Sequence, residues 1–327
     1  MAAGALAAAA GVGYGAQRAA GRRVRDRPDD GGDAALAPLR YDRAHRLESH
    51  DGGTLFVIER GQGTPIVLSH GVTLSVRVWV LQLAGLPEAG FRVIAYDHRG
   101  HGQSLVGDAG HTVENLGEDL AVILESLDLR EALVLGHSMG GVAVQELALR
   151  HPEVLRERVR GIVLLSTLAK APLGSYATRL KRRVERVASR VPDTSAIWAT
   201  PNLGLLLARL GFGRDPKPSH VELARRIIGE CAHETRVEAP QVLVGFDFTG
   251  ELAALAVPAL VIGGTADLLT PPRESEVLAR RIPGARLVLL PGAGHMVMLE
   301  RATELERLLV AFAREVGALP EGAAPNR

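Results

Sequence analysis

The 327-residue chain has a single cysteine, Cys231. That excludes an intramolecular disulfide and a cysteine-based metal site. Nothing around Cys231 resembles a paired base, so it reads as a small packing residue. Net charge is almost absent too, since Lys+Arg 38 against Asp+Glu 37 leave +1. No global field draws this protein to nucleic acid or to a strongly charged substrate. A long hydrophobic run is missing. Ala2 to Ala16 is apolar but nearly all Ala and Gly, shorter than the roughly 20 residues a spanning helix needs. It also lacks the basic leader of a secretory signal. Metal-ligand spacing is lacking as well. His98 and His101 lie three apart with no third ligand indicated, so neither a metal nor an organic cofactor is expected.

What is present is core-forming material. The chain is 46% hydrophobic, enough for one large α/β domain or for one carrying an insertion. Residues 1–40 stand apart. The Ala/Gly stretch is followed by Arg18, Arg22, Arg23, Arg25 and Arg27. They read as a flexible or helical tail, with a weak peripheral membrane anchor as the alternative. Asp29-Asp30-Gly31-Gly32-Asp33 reads as linker. The expected location is the cytoplasm, with attachment to a membrane by the N-terminal segment as the variant of that reading.

A β/α alternation occupies residues 41–167. His45–Ser49 and Thr54–Arg60 form a hairpin at the sheet edge. Pro65–Ser69, Phe91–Tyr96, Leu133–Leu135 and Gly161–Ser166 read as buried strands. Helices are expected over Val76–Leu86, from an N-cap at Thr112 through Leu127, and over Val142–Arg150. The alternation breaks over 168–250, where no strand is convincing. Helices are expected at Ser175–Val191, Ala196–Leu210 and Ser219–His233, the last opened by a Ser219/Glu222 capping box. This is a helical cap, or lid, over the sheet. The basic face of its first helix (Arg179, Lys181, Arg182, Arg183, Arg186, Arg190) reads as solvated. Its large side chains, Tyr176, Trp198, Phe212, Phe246 and Phe248, either line a pocket or pack lid on core. The pattern resumes over 251–316 with strands Pro258–Gly263 and Arg286–Leu290 and helices Arg273–Ile282 and Thr303–Val316. Residues 317–327 form a C-terminal tail.

Strands separated by helices imply a mostly parallel sheet covered on both faces. Ligands bind such sheets beyond the carboxyl ends of the strands. His70-Gly71, the Asp97–Ser104 loop, Ser138, Asp267 and His295 all follow predicted strands and therefore meet at one edge.

The centre of that edge is Gly136-His137-Ser138-Met139-Gly140-Gly141. A strand runs straight into G-x-S-x-G and a helix follows, which is the context of a nucleophile elbow. The turn exposes the Ser138 hydroxyl and aims helix N-terminal N–H groups at the same spot. A serine needs a base within reach. His295, in Gly292-Ala293-Gly294-His295 after the last strand, is the best placed. His98, His101 and His137 share the edge, but His98 and His101 sit in a turn better explained as scaffold. The base needs a carboxylate to orient it, and Asp267 is the candidate. The other reading of Asp267 is an N-cap for the helix behind Pro271-Pro272.

The order Ser, Asp, His with the elbow resembles the α/β-hydrolase superfamily over roughly residues 45 to 316. The matching motifs are His70-Gly71, Asp97-His98-Arg99-Gly100-His101-Gly102-Gln103-Ser104, the elbow, Gly264-Thr265-Ala266-Asp267 and Gly294-His295-Met296. It is most similar to the serine esterase, perhydrolase and C–C hydrolase branch with a helical lid. The resemblance implies Ser138 as nucleophile, Asp267 as acid and His295 as base. It implies an oxyanion hole from the backbone N–H groups of Val72 and Met139, and an architectural role for the Asp97–Ser104 loop. It implies hydrolysis of a carboxylic ester of a small, apolar acyl substrate without nucleic acid. Acyl transfer, perhydrolysis, thioester cleavage and C–C hydrolysis on the same triad stay open, as does a non-catalytic receptor on this fold.

Overall fold

The computed structural model describes residues 14–30, 36–171 and 193–320. Eight strands form one sheet: β1 (Arg43–Glu48), β2 (Thr54–Arg60), β3 (Thr64–Ser69), β4 (Phe91–Tyr96), β5 (Ala132–His137), β6 (Val159–Leu165), β7 (Ala259–Gly264) and β8 (Arg286–Leu290). Their spatial order is β1-β2-β4-β3-β5-β6-β7-β8. The β1–β2 and β2–β4 pairs are antiparallel, and all pairs from β4 through β8 are parallel. This is the expected α/β-hydrolase fold, with a mostly parallel central sheet.

Both faces of the sheet are covered, and β5 shows why. All its residues are buried. Leu133 and Leu135 enter the core on one face with Trp79, Leu309 and Phe312, while Ala132 and Val134 enter the other with Leu120, Val144 and Leu147. The period-2 alternation of side chains makes two cores from one strand.

Helix α1 (Tyr14–Arg25) precedes the sheet. Helix α2 (Val80–Gly85) is shorter than the sequence suggests, because 3-10 turns at Val76–Trp79 and Leu86–Ala89 flank it. Pro87 has no N–H to continue the α ladder. Helix α3 (Val113–Ser126) begins as expected, with Thr112 Oγ1 accepting from the Asn115 N–H at 3.1 Å. Helix α4 (Met139–Arg150) starts three residues before the expected Val142, directly at the elbow. Helix α5 (Pro152–Arg158) leads into β6.

Between β6 and β7 the described residues carry α6 (Ser195–Ala199), α7 (Leu203–Arg209), α8 (Pro218–Glu230) and α9 (His233–Glu238). The expected helix at Ser175–Val191, with its basic face and Tyr176, lies outside the described residues. The Ser219/Glu222 capping box does not form. Pro218 takes the first helical position, Lys217 is the N-cap, and the Ser219 N–H and Oγ both donate to Asp29 at 2.7 and 2.9 Å. Glu222 instead pairs with Arg225 and Arg226. Asp29 and Asp30, read from sequence as linker, are therefore anchored. Helices α10 (Pro272–Arg281), α11 (Val297–Glu300) and α12 (Ala302–Glu315) complete the chain. Among the described residues no helix is long and apolar enough to cross a membrane.

Candidate active site

The carboxyl ends of β3, β5, β6, β7 and β8 lie side by side in that order, since Ser69 pairs with Gly136, His137 with Leu165, Leu165 with Ile262 and Gly264 with Leu290. The loops that leave them build one site. Ser138, after β5, has φ 53° and ψ −115°, a strained conformation for a residue with a side chain. The flanking glycines permit it. A Cβ on Gly136 would lie 2.2 Å from the Gly140 carbonyl oxygen, and one on Gly140 would lie 2.3 Å from that of Ser69. Thr167 Oγ1 donates to the Ser138 carbonyl at 2.7 Å and fixes the turn from the β6 side. No spacing in the sequence marks Thr167 for this contact.

Asp267 follows β7 and is buried. Its Oδ1 accepts the N–H groups of Leu269 (2.8 Å) and Thr270 (2.9 Å), and its Oδ2 accepts Thr270 Oγ1 (2.7 Å). The same Oδ2 lies 2.9 Å from His295 Nδ1. The N-cap of α10 is Pro271, so Asp267 is not a helix cap. Burial alone would raise its carboxyl pKa. The hydrogen bond and charge of His295, with the Thr270 donors, outweigh burial and hold it below the usual range. The Asp267 turn is itself sewn to the His295 loop, since Thr265 N donates to Leu290 O and Ala266 N to Ala293 O.

His295 is 7% exposed and lines a cavity of about 660 Å³ together with Ser138. No hydrogen bond joins Ser138 Oγ to the His295 ring or to any other group among the described residues. Such contacts commonly tighten only when substrate is bound. His137, beside Ser138, is fully buried. Its Nε2 sits 3.0 Å from the His295 carbonyl and so donates to it. Burial, and then the neighbouring His295, hold the His137 ring neutral well below its ordinary pKa.

Val72 lines the same cavity, and Met139 is the first residue of α4. Their N–H groups have no partner among the described residues. Three groups fix the loop that carries Val72. Asp97 Oδ1 accepts the Val76 N–H at 2.7 Å, His101 Nε2 accepts the Thr73 N–H at 3.1 Å, and His70 Nδ1 donates to Gly71 O at 2.7 Å. His70, His98 and His101 are buried and held neutral chiefly by that burial, His101 down to about 4. Arg99 is buried between Asp51 and Asp119, with 2.8 Å contacts to each.

The rest of the cavity wall is mostly apolar, including Leu74, Val142, Leu168, Ile197, Trp198, Leu207 and Met296, with Thr194 and Arg236 as polar members on the insertion side. Of the large insertion side chains singled out from sequence, Trp198 lines this cavity, while Phe212, Phe246 and Phe248 are buried in the cores. Cys231 is buried, which pushes its thiol up to about 11. Among the described residues no group of three or more His, Cys, Asp or Glu side chains is arranged to hold a metal ion.

Comparison with known proteins gives a consistent pattern. Residues 64–302 match a family model described as the alpha/beta hydrolase fold. The AB hydrolase superfamily protein YisY of Bacillus subtilis is 27% identical over 275 residues, covering 82% of this chain and 98% of that protein. A non-heme haloperoxidase of Rhodococcus erythropolis is 29% identical over 277 residues, covering 81% and 98%. Among solved structures, a hydrolase from Pseudomonas aeruginosa is 30% identical with a TM-score of 0.70, covering 84% of this chain and 99% of that one. A thermophilic esterase from Thermogutta terrifontis is 28% identical with a TM-score of 0.72, at the same coverage.

Proposed function

This chain belongs to the α/β-hydrolase family, and from that premise we propose that it is a serine hydrolase cleaving a carboxylic ester through an acyl-enzyme. The observation that carries the reading is the 2.9 Å bond between His295 and Asp267, with His295 facing the same apolar cavity as Ser138.

In this reading Ser138 Oγ attacks the acyl carbon while its proton passes to His295 Nε2. Asp267 orients the ring through Nδ1 and stabilises the imidazolium. The carbonyl oxygen becomes an oxyanion between the N–H groups of Val72 and Met139. Each such donor is worth about 10²–10³ in rate. The carbon–oxygen bond of the ester breaks as Nε2 returns its proton to the departing alcohol. Water then enters, loses a proton to Nε2, and attacks the acyl carbon. The acid leaves and Ser138 regains its proton.

Several observations support the roles. Ser138 stands on a strained turn that exposes its hydroxyl, the two N–H groups have no partner among the described residues, and the imidazole has a buried carboxylate behind it. The apolar wall suits an uncharged acyl chain, and the volume is that of a small-molecule pocket. The helical insertion, 168–250 in the sequence reading, acts as a cap whose inner face includes Trp198 and Leu207. Ser138→Ala should abolish turnover of short p-nitrophenyl esters and labelling by a fluorophosphonate while leaving the thermal midpoint in place. Unchanged turnover would remove Ser138 from the mechanism.

One second reading has specific support, because relatives at 29% identity are named haloperoxidases. The acyl-enzyme would then be attacked by hydrogen peroxide in place of water, releasing a peracid. Competition between water and added peroxide, read as the ratio of acid to peracid, separates the two.

A further inference from the structure

The N-terminal segment 24–30 lies outside the family match, which begins at residue 64. It nevertheless contacts the insertion through five of its residues. Helix α1 packs on α7, and Val24 is buried in the core cluster that contains Leu205, Ala208 and Val221. Arg25 Nη2 donates to Asn202 Oδ1 at 2.7 Å. Arg27 Nη1 donates to the Arg214 carbonyl at 2.9 Å and also approaches Asp215. The Asp29 carboxylate takes both Ser219 donors at the start of α8, and Lys217 Nζ donates to Asp30 O at 2.6 Å.

The stretch so held, 202–219, is the one that grips the His295 loop. Gly211 O accepts the N–H groups of His295 (2.9 Å) and Met296 (3.2 Å). Arg214 N donates to Gly292 O at 2.9 Å. Glu300 bridges the two loops, with Oε2 accepting the Gly213 N–H at 2.7 Å and Oε1 the Gly294 N–H at 2.9 Å. Arg214 is therefore held by Arg27 through its carbonyl and by Gly292 through its N–H. One residue separates the N-terminal segment from the loop that carries the imidazole.

We infer that Arg27 and Asp29 are positioning residues of the active site: they clamp residues 202–219 and thereby fix where His295 stands. The role of His295 itself rests on the function proposed above. The physical case is leverage. The His295 loop contains Gly292 and Gly294 and takes its rigidity from partners outside itself. Some of those partners are in the core, where Ala266 N–H donates to Ala293 O and Thr265 Oγ1 accepts the Gly292 N–H. The backbone grip on His295 and Met296 themselves comes from Gly211 O, in an insertion whose own anchor, among the described residues, includes the segment before the sheet. A displacement of about 1 Å in a catalytic group costs on the order of 10²-fold in rate.

The test uses the full chain carrying Arg27→Ala with Asp29→Ala. Amide hydrogen exchange at His295 and Met296 should speed up by at least about tenfold, the difference a 1.4 kcal/mol loss of protection makes, while β5 stays protected. kcat for an ester should fall with KM nearly constant, and fluorophosphonate labelling of Ser138 should slow in parallel. Asp29→Asn, which keeps an acceptor for Ser219, and Arg27→Lys should restore much of both. Unchanged exchange at His295 and Met296 with faster exchange at 202–219 would overturn the inference, as would uniform loosening of the whole molecule. If the double variant does not fold, Arg27→Ala alone carries the test, since that side chain is 38% exposed. The exchange readout does not depend on turnover. Faster exchange together with an active Ser138→Ala enzyme would sink the hydrolase reading and leave the clamp standing.

Discussion

Two aspartate–histidine pairs sit at the same edge of the sheet, and they are opposites. Asp267 Oδ2 lies 2.9 Å from His295 Nδ1, and its carboxyl is held below the usual range once the His295 contact outweighs burial. Asp97 Oδ1 lies 3.9 Å from His70 Nε2, and burial pushes its carboxyl up to about 6 against the N–H groups of Gln103 and Val76. The residue types are the same, and the direction of the imidazole decides the outcome. His70 spends its proton on Gly71 O through Nδ1, so its Nε2 is a lone pair taken up by the His98 N–H. It has no proton to offer Asp97. His295 offers Nδ1 to its carboxylate and keeps Nε2 for the cavity. In the function proposed above, the first pair moves a proton. The other holds backbone in place, and burial keeps its imidazole neutral.

The largest effect should come from removing the carboxylate charge in each pair. Asp267→Asn should lower kcat/KM for an ester by about 10⁴-fold, since an amide cannot hold the same tautomer. Asp97→Asn should lower it far less, because an amide oxygen can still accept a backbone N–H. Parallel ester kinetics decide it, and equal losses would break the distinction between the pairs.

Next in size is the scaffold charge. Arg99 neutralises buried Asp51 and Asp119, holding Asp51 down to about 2 although burial alone would raise it. Arg99→Leu strands Asp119 in the core and should cost about 3–5 kcal/mol of stability. Chemical denaturation measures this. The distinction sharpens if kcat of the folded remainder stays near that of the parent while stability collapses.

The smallest effect is in pH. His101 stays neutral in the folded protein down to about 4, because burial opposes its charge. Unfolded, it takes a proton near 6.5. The folded state therefore binds fewer protons between those values, and stability falls as pH drops from about 6.5 to 4. His101→Gln should make the fall of the thermal midpoint across that window shallower, by the share of one proton, because the buried His70, His98 and His137 still contribute. A slope identical to the parent's would remove His101 as a contributor.

The sheet was readable because each parallel strand is an apolar run flanked by polar turns. β4 and β8 fall where the pattern puts them. The elbow was readable because steric demand writes itself into glycines, at Gly136 and Gly140. Ser138, Asp267 and His295 could be picked out because each follows a strand. Thr270 and Thr167 escaped notice, since a threonine that steadies an aspartate or a serine carbonyl has no spacing signature. The expected cap at Ser219 failed for the same reason in reverse. A local pattern was present, and a carboxylate 190 residues away took the hydrogen bonds.

By itself the sequence determined what short-range physics controls. That covers which segments bury both faces, where a strand must turn sharply into a helix, and which titratable groups leave the carboxyl ends of strands. Only the tertiary structure decided which imidazole nitrogen faces which carboxylate, and that an N-terminal segment reaches the insertion gripping the His295 loop. Hydrophobic burial is non-directional and is written in composition and period. A hydrogen bond has a direction, and its partner is chosen by folding.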